Sequence, residues 1–482
     1  MARPAAKLFA GHRIRQLRDR DRMTQSALAR GLAVSASYLN QIEHDQRPLS
    51  PKLLARLGAL FGVPADYFGD SDELRQLQAL REIMGDPLFG PAGVPAAELQ
   101  AAVRAAPSLA GQVVHLYRAY LAGREQGTLP TLGPGTRPVP EAVAPYEAVG
   151  DWVQAERNYF DGIDRAAEDR ARALDLAGLG PVEAMIRHLR DRHGLAVQDG
   201  DLAEHGVMWR LDRRQGRLLL ARGAPAESRA FWMAQVVAQA EDGARFDRVI
   251  RRSPLMTADA RALARVGLVN YYAGALMMPY DRFRAAAHDS RHDIERLQHQ
   301  FGASFEQVCH RLSTLQGPGR EGVPFYFLKT DIAGNVLKSS SANSFRLSRF
   351  GGPCPLWNVF RAFGMPGQIS VQLSRTTDDA LYLNVARTVG HAGQSYFDRP
   401  RLVAVVLGCA VSDARDMVYA TGLALGDPRI AVPIGPGCRG CDRVDCRHRA
   451  VPAIGQPLDV GSEERGVVPY RIGSHRPGGR LA

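Results

Sequence analysis

The stretch GHRIRQLRDRDRMTQSALARGLAVSASYLNQIEHDQRPLSPKLLARLGALFGV, from Gly11 to Val63, is punctuated too often for any long element. Its helices have to be short, and short helices hold only when their apolar stripes are buried against one another. Ile14 and Leu17 begin one stripe. Thr24 is placed to N-cap a helix carrying Ala27, Leu28 and Leu32. Ser35 caps a second helix that turns Leu39 and Ile42 inward and leaves Ala36, Ser37, Asn40 and Gln41 on outward faces. Pro48 and Pro51 mark the loop before the next helix. Residues 1–70 carry 11 Lys/Arg against 6 Asp/Glu, and the whole chain has a net charge of +11, which favours a polyanionic partner.

The chain of 482 residues is long enough for about three domains of roughly 150 residues each. Residues 72–124 repeat a helical pattern, with Leu74, Leu77 and Leu80 on one side, and these helices suit a dimerisation arm. Pro and Gly crowd residues 127–145 and predict a linker; helical periodicity resumes at Tyr146. After about Glu306 the pattern changes to alternating strands. VPFYFLKTDIAGNVLKSSS and GQISVQLSRTTDDALYLNVARTV each read as a hairpin, and LVAVVLGCAV as a buried strand. The expected fold is multidomain and mainly α with α/β parts, divided at 1–70, 71–150, 151–305 and 306–482. No secretory signal and no apolar run of about 18 residues is legible, so a cytoplasmic protein without a membrane partner is expected.

Three of the six cysteines fall in CRGCDRVDC, Cys438 to Cys446. Cys438 and Cys441 have the spacing at which a tight turn brings two sulfurs to one metal, Cys446 adds a third ligand, and His448 follows two residues later. In a reducing compartment a metal centre is favoured over a disulfide framework. A Cys₃His set closed by His448 favours structural zinc. Arg439, Arg443, Arg447 and Arg449 would offset the negative charge of either kind of centre.

Several segments carry resemblances. TQSALA…VSASYLNQIE, within residues 8–69, resembles the five-helix helix-turn-helix of the Cro/repressor, or xenobiotic-response-element, class. That implies double-stranded operator DNA as partner, with Ser35, Ala36, Ser37, Tyr38, Asn40 and Gln41 at the duplex and Gln25 bracing the recognition helix. SRAFWMAQVVAQAE and NYYAGALMMPYDRF resemble the ImmA/IrrE metallopeptidase-like domain. Where an active member has His-Glu-x-x-His, this chain has Gln235, Val236 and Gln239, so a protease-like α+β domain without its metal motif is expected, holding no metal and hydrolysing no peptide. A glycine pair followed by Trp357, Phe360, Phe363 and Arg361 suits an apolar ligand with an anionic head.

Together with FGGPCPLWNVF and PIGPGCRGCDRVDCRHRA, these segments resemble the short-chain fatty acyl-responsive transcriptional regulators over nearly the whole chain. The resemblance implies a one-component regulator, a homodimer or higher homo-oligomer, whose effector is a short-chain acyl-CoA, propionyl-CoA or acetyl-CoA, and which governs short-chain fatty acid metabolism. Tyr271, Tyr272, Lys338, Arg346, Trp357, Asn358 and Arg361 are the expected ligand residues. It also implies a C-terminal α/β domain with a [4Fe–4S] cluster, zinc being the alternative. A cluster needs a fourth thiolate beside Cys438, Cys441 and Cys446, and Cys409 is the expected one, ahead of Cys354 and Cys309. The competing readings are an iron–sulfur redox-sensing repressor and an enzyme, a protease or CoA hydrolase, with an attached DNA reader; no Gly-x-Ser-x-Gly elbow is present to support the latter.

Overall fold

A computed structural model describes residues 11–21, 23–43, 46–61, 71–84, 94–125, 145–202, 206–343, 345, 354–390, 401–453, 456, 458–460 and 466–472. The chain splits into two compact units: Met1–Leu121, with Ala453–Pro457 and Ser474–Ala482, and Ala122–Pro452, with Leu458–Gly473.

The first unit begins with four short helices, α1 (Gly11–Arg20), α2 (Gln25–Gly31), α3 (Ala36–Glu43) and α4 (Pro51–Phe61). Ile14, Leu17, Leu28, Leu32, Leu39, Ile42 and Leu57, each at most 2% exposed, form their common core. Gly11 is pressed against the end of α3, where an added Cβ would lie 2.3 Å from the Ile42 carbonyl. Five helices are expected within residues 8–69; residues 62–70 lie outside the described residues. Then follow α5 (Ser71–Ile83), α6 (Ala96–Ala105) and α7 (Pro107–Glu125), which share a separate core around Leu77, Leu80, Ile83, Leu99 and Val103.

The second unit opens with α8 (Pro145–Ala155), α9 (Asp161–Ala173), α10 (Leu176–Leu179) and α11 (Pro181–His193). A small sheet follows, β1 (Ala196–Gly200), β2 (Trp209–Asp212) and β3 (Arg217–Ala221), in the order β1-β3-β2. Then come α12 (Ala226–Glu241), α13 (Gly243–Arg252), α14 (Ala258–Met277), α15 (Tyr280–Asp289), α16 (Ile294–Phe301) and α17 (Phe305–Ser313). The expected division at residue 150 therefore cuts α8, whose Trp152 packs on Phe160 in the helical core of this unit.

The second half of α14 is apolar on all sides because neighbouring helices surround it. Beside it lies a buried ion pair. Arg311 of α17 donates to both oxygens of Asp164 on α9, at 2.7 and 2.9 Å, and Tyr271 of α14 donates to Asp164 at 2.6 Å. The remaining Arg311 donor, Nε, meets the Met278 carbonyl at 2.9 Å.

The larger sheet contains β4 (Tyr326–Asp331), β5 (Val336–Ser341), β6 (Ser370–Arg375), β7 (Leu381–Gly390), β8 (Leu402–Ala410) and β9 (Val432–Pro433), in the order β5-β4-β8-β7-β6-β9. Both expected hairpins form, as β4–β5 and β6–β7. In β8 every residue from Val403 to Cys409 is buried, since both faces of the strand are covered. Val405, Leu407 and Cys409 face the core shared with α15–α17, while Ala404 and Val406 face Tyr326, Trp357 and Tyr382. The short α18 (Asn358–Arg361) packs on that second face, and α19 (Val411–Ala414) follows β8. Gly408 has no room for a side chain, because a Cβ would sit 2.4 Å from the Tyr326 ring. At the outer edge, Gln154 of α8 pairs with the backbone of Ser341, donating to its carbonyl at 2.6 Å and accepting its N–H at 2.9 Å.

Arg311→Ala would strand Asp164 as an uncompensated buried charge and should cost about 3–5 kcal/mol. Chemical denaturation of the second unit's transition measures it; a loss under about 1 kcal/mol would mean that the pair is not a principal joint.

Candidate DNA interface and cysteine centre

The helix-turn-helix assembles from its caps. Thr24 Oγ1 accepts the Ala27 N–H at 3.2 Å and starts α2, and Ser35 Oγ accepts the Tyr38 N–H at 3.1 Å and starts α3. The turn between them passes through Ala33 at φ 53°, with the Leu32 carbonyl held by Arg56 at 2.9 Å. Gln25 Nε2 donates to Asn40 Oδ1 at 3.2 Å and to Glu43 Oε2 at 2.9 Å, while Arg18 donates to Glu43 Oε1 at 2.8 Å. Glu43, 1% exposed, is thus the hub that fixes α3 to α1 and α2. Sequence reasoning missed it, although a carboxylate one residue beyond Ile42, at the end of an apolar stripe, was the available signal. Ser35, Ala36, Ser37 and Asn40 are exposed, and Tyr38 and Gln41 are half-exposed, with the Arg47 guanidinium 5.8 Å from the Tyr38 ring. Asn40→Ala would remove an outward amide while keeping the Glu43 hub. It should weaken a specific operator by about 1–3 kcal/mol and leave non-specific binding nearly unchanged. Quantitative footprinting with far-UV circular dichroism checks this, and an unchanged footprint would refute the placement.

The three clustered cysteines share a pocket with Cys354, and His448 lines it too. Cys409, expected as the fourth thiol, is not there. Strand alternation turns its side chain to the opposite face of the sheet, where its Sγ lies 3.6 Å from the Met417 sulfur in an apolar core. Cys354 instead comes from the turn before α18, on the pocket's side. Burial pushes the Cys354 thiol up, and the Gly435 and Leu356 backbone N–H groups pull against it; Cys441 is likewise raised by burial, with the Arg443 N–H opposing. Cys438 Sγ accepts the Ala450 N–H at 3.4 Å. Gly435 is pressed to the site, where a Cβ would be 2.7 Å from the Cys441 sulfur, and Gly437 takes φ 152°. Arg449, 7% exposed, ties the loop by donating to the Cys438, Cys441 and Arg443 carbonyls at 2.8, 3.1 and 2.5 Å. Arg443 fastens it to the sheet through the Arg375 and Thr376 carbonyls, both at 2.9 Å. Four thiols with no carboxylate among the described lining residues, and backbone donors on the sulfurs, suit a thiolate-bound centre.

The expected ligand residues do not converge. Tyr271 is committed to Asp164, and burial drives its phenol up; Tyr272 is fully buried against Phe246. Trp357 is core, packed on Tyr326 and Phe345. Asn358 is tied to the sheet through its donors, its backbone N–H going to Gln372 at 3.1 Å and its side-chain N–H to the Ser370 carbonyl at 2.9 Å, while its Oδ1 is buried without a partner among the described residues. All four side chains are buried in the core of the unit. Arg361 is exposed beside that same face. Lys338 lies across the sheet on edge strand β5, half-buried, 5.8 Å from the Phe327 ring, and burial lowers its ammonium to about 8. Arg346 lies outside the described residues. In the protease-like domain, Trp209 donates to Gln235 at 2.9 Å and Gln235 donates to Asn270 at 2.6 Å, so an amide chain occupies the position of the first zinc ligand; Gln239 is exposed. Among the described residues no helix is long and apolar enough to cross a membrane.

Comparison with known proteins accounts for all three parts. Residues 10–67 match a helix-turn-helix domain, 190–313 an IrrE N-terminal-like domain, and 314–470 the C-terminal domain described as short-chain fatty acyl coenzyme A regulator. The chain is 38% identical over 476 residues to the HTH-type transcriptional regulator RamB of Mycobacterium tuberculosis, covering 97% of this chain and 99% of that one. It is 39% identical over 469 residues to the propionyl-CoA carboxylase regulator of Cereibacter sphaeroides, again covering 97% and 99%. A solved Mycobacterium tuberculosis transcriptional regulator is similar in fold, with a TM-score of 0.64 at 37% identity, over 68% of this chain and 99% of that one. End-to-end similarity to such regulators, together with the matched domains, shows that the chain belongs to the short-chain fatty acyl coenzyme A regulator family of helix-turn-helix transcriptional regulators.

Proposed function

We propose that this regulator binds operator DNA through α2 and α3 and changes its affinity for DNA when a short-chain acyl-CoA, propionyl-CoA or acetyl-CoA, binds its C-terminal half. The observation that carries the reading is the joining, in one chain, of a pre-braced recognition helix to a domain of the short-chain fatty acyl coenzyme A regulator type. Of the expected ligand residues among the described ones, Arg361 is exposed and could meet CoA phosphates. The middle domain acts without peptide hydrolysis, because the Trp209–Gln235–Asn270 chain stands where a zinc ligand would be needed. The protein works in the cytoplasm as a homo-oligomer on paired half-sites. Short-chain acyl-CoA should shift DNA affinity by roughly 1–3 kcal/mol, and the free acids far less, since they lack the nucleotide phosphates. Fluorescence anisotropy on operator DNA measures both; equal responses to propionate and propionyl-CoA would exclude the CoA reading.

The cysteine centre is assigned to a [4Fe–4S] cluster held by Cys354, Cys438, Cys441 and Cys446, with structural zinc as the second reading because His448 lines the same pocket. A bound cluster would supply a redox-active group and a covalent anchor for the loop. The chain's own part is to orient the sulfurs through Arg449 and to donate N–H groups to them. Anaerobically purified protein should absorb broadly near roughly 400 nm. Cys354→Ser should abolish that band and Cys409→Ser preserve it; the reverse would overturn the ligand set. A colourless protein with about one zinc per chain would favour the second reading.

A further inference from the structure

The middle domain carries a second constellation of ligating side chains, at the opposite end of α12 from its first turn and separate from Gln235 and Gln239. His188 and His193 lie on α11 and Glu241 ends α12. His188 Nε2 is 2.6 Å and His193 Nε2 2.7 Å from the same carboxylate oxygen, Glu241 Oε1. The other oxygen is engaged by Arg170 of α9. The three side chains are 13, 21 and 9% exposed, sheltered yet reachable from solvent.

Two features make this more than a surface cluster. Residues five apart diverge by about 140° around a regular helix, so the two imidazoles have no intrinsic reason to meet. They meet because each ring reaches the same oxygen, Glu241 Oε1, while Gly194, in the left-handed region at φ 63°, closes the helix directly after His193. The negative charge of Glu241 is, moreover, already met by Arg170, which also orients the carboxylate in the way that outer partners orient metal ligands. Both ring nitrogens share Glu241 Oε1 as their hydrogen-bond partner, so a cation would take the place of those two bonds, and all three ligating atoms lie within 4.8 Å of one another.

We propose that His188, His193 and Glu241 bind a divalent cation of the zinc class. Two imidazoles and one carboxylate select zinc, cobalt or nickel over magnesium or calcium, and three protein ligands leave a position for water. The site goes beyond the regulator function proposed above and is independent of the cysteine centre. It departs from the sequence-based expectation of a metal-free middle domain, which rested on Gln235, Val236 and Gln239 alone. The cation would clamp the C-terminal ends of α11 and α12 together.

The test uses the full-length protein with its cysteine centre intact, titrated with cobalt(II) or zinc(II), desalted and analysed for metal. Wild type should retain about one further equivalent per chain. His188→Ala, His193→Ala and Glu241→Gln should each lose it while keeping the metal of the cysteine centre. Bound cobalt should show weak nitrogen/oxygen-donor bands without thiolate charge transfer. The proposal is overturned if wild type takes up no further equivalent, if all three variants keep it, or if the cobalt spectrum is that of a thiolate site. Because the wild-type titration decides by itself, a variant that fails to fold does not rescue the idea.

Discussion

The second unit is organised around the buried pair of Asp164 and Arg311. Both side chains are 2% exposed, and a charge so deep is tolerated only when its hydrogen-bonding capacity is met. Arg311 therefore has to touch Asp164, the Met278 carbonyl and Thr314 at once, and Tyr271 has to complete Asp164. Asp164 ties α17 to α9, and Met278 and Tyr271 tie the end of α14 to the same pair, so the three helices are joined at one point. Because α17 also packs on β4 and β8, the larger sheet takes its position from the same joint.

What was legible in the sequence follows from which signals are local. Caps, stripes and turns are local, so Thr24, Ser35 and the two hairpins could be read from their own neighbourhoods. The ligand residues could not. Tyr271 and Trp357 look available as aromatic residues beside small ones, and only the fold shows that Asp164 and the Tyr326–Phe345 stack claim them. Cys409 lies on the face of the sheet turned away from the clustered cysteines. Counting along β8, Cys409 shares parity with Leu407 and Val405, the face turned to the helices. Cys354 carries no period, because it sits in a turn, and it was passed over for a strand residue.

In the middle domain an amide stands at the position that the metallopeptidase resemblance gives to the first zinc ligand. An amide can stand where an imidazole ligand stood only if its own donors and acceptors find partners. Trp209 and Asn270 provide them for Gln235, and the three form a hydrogen-bonded strut linking the small sheet to α12 and α14. Its partners sit on other elements, so the sequence around Gln235 does not show them.

The side chain of Gln154 has a consequence at the margin of the larger sheet. An exposed β-strand offers unpaired backbone groups to any passing extended segment. Gln154 imitates one residue of a neighbouring strand, taking both the N–H and the carbonyl of Ser341, and Lys338 places a cation on the same border strand. The other border is β9, only two residues long. Both margins are thus poor templates for strand addition, which protects the sheet from fibrous self-association.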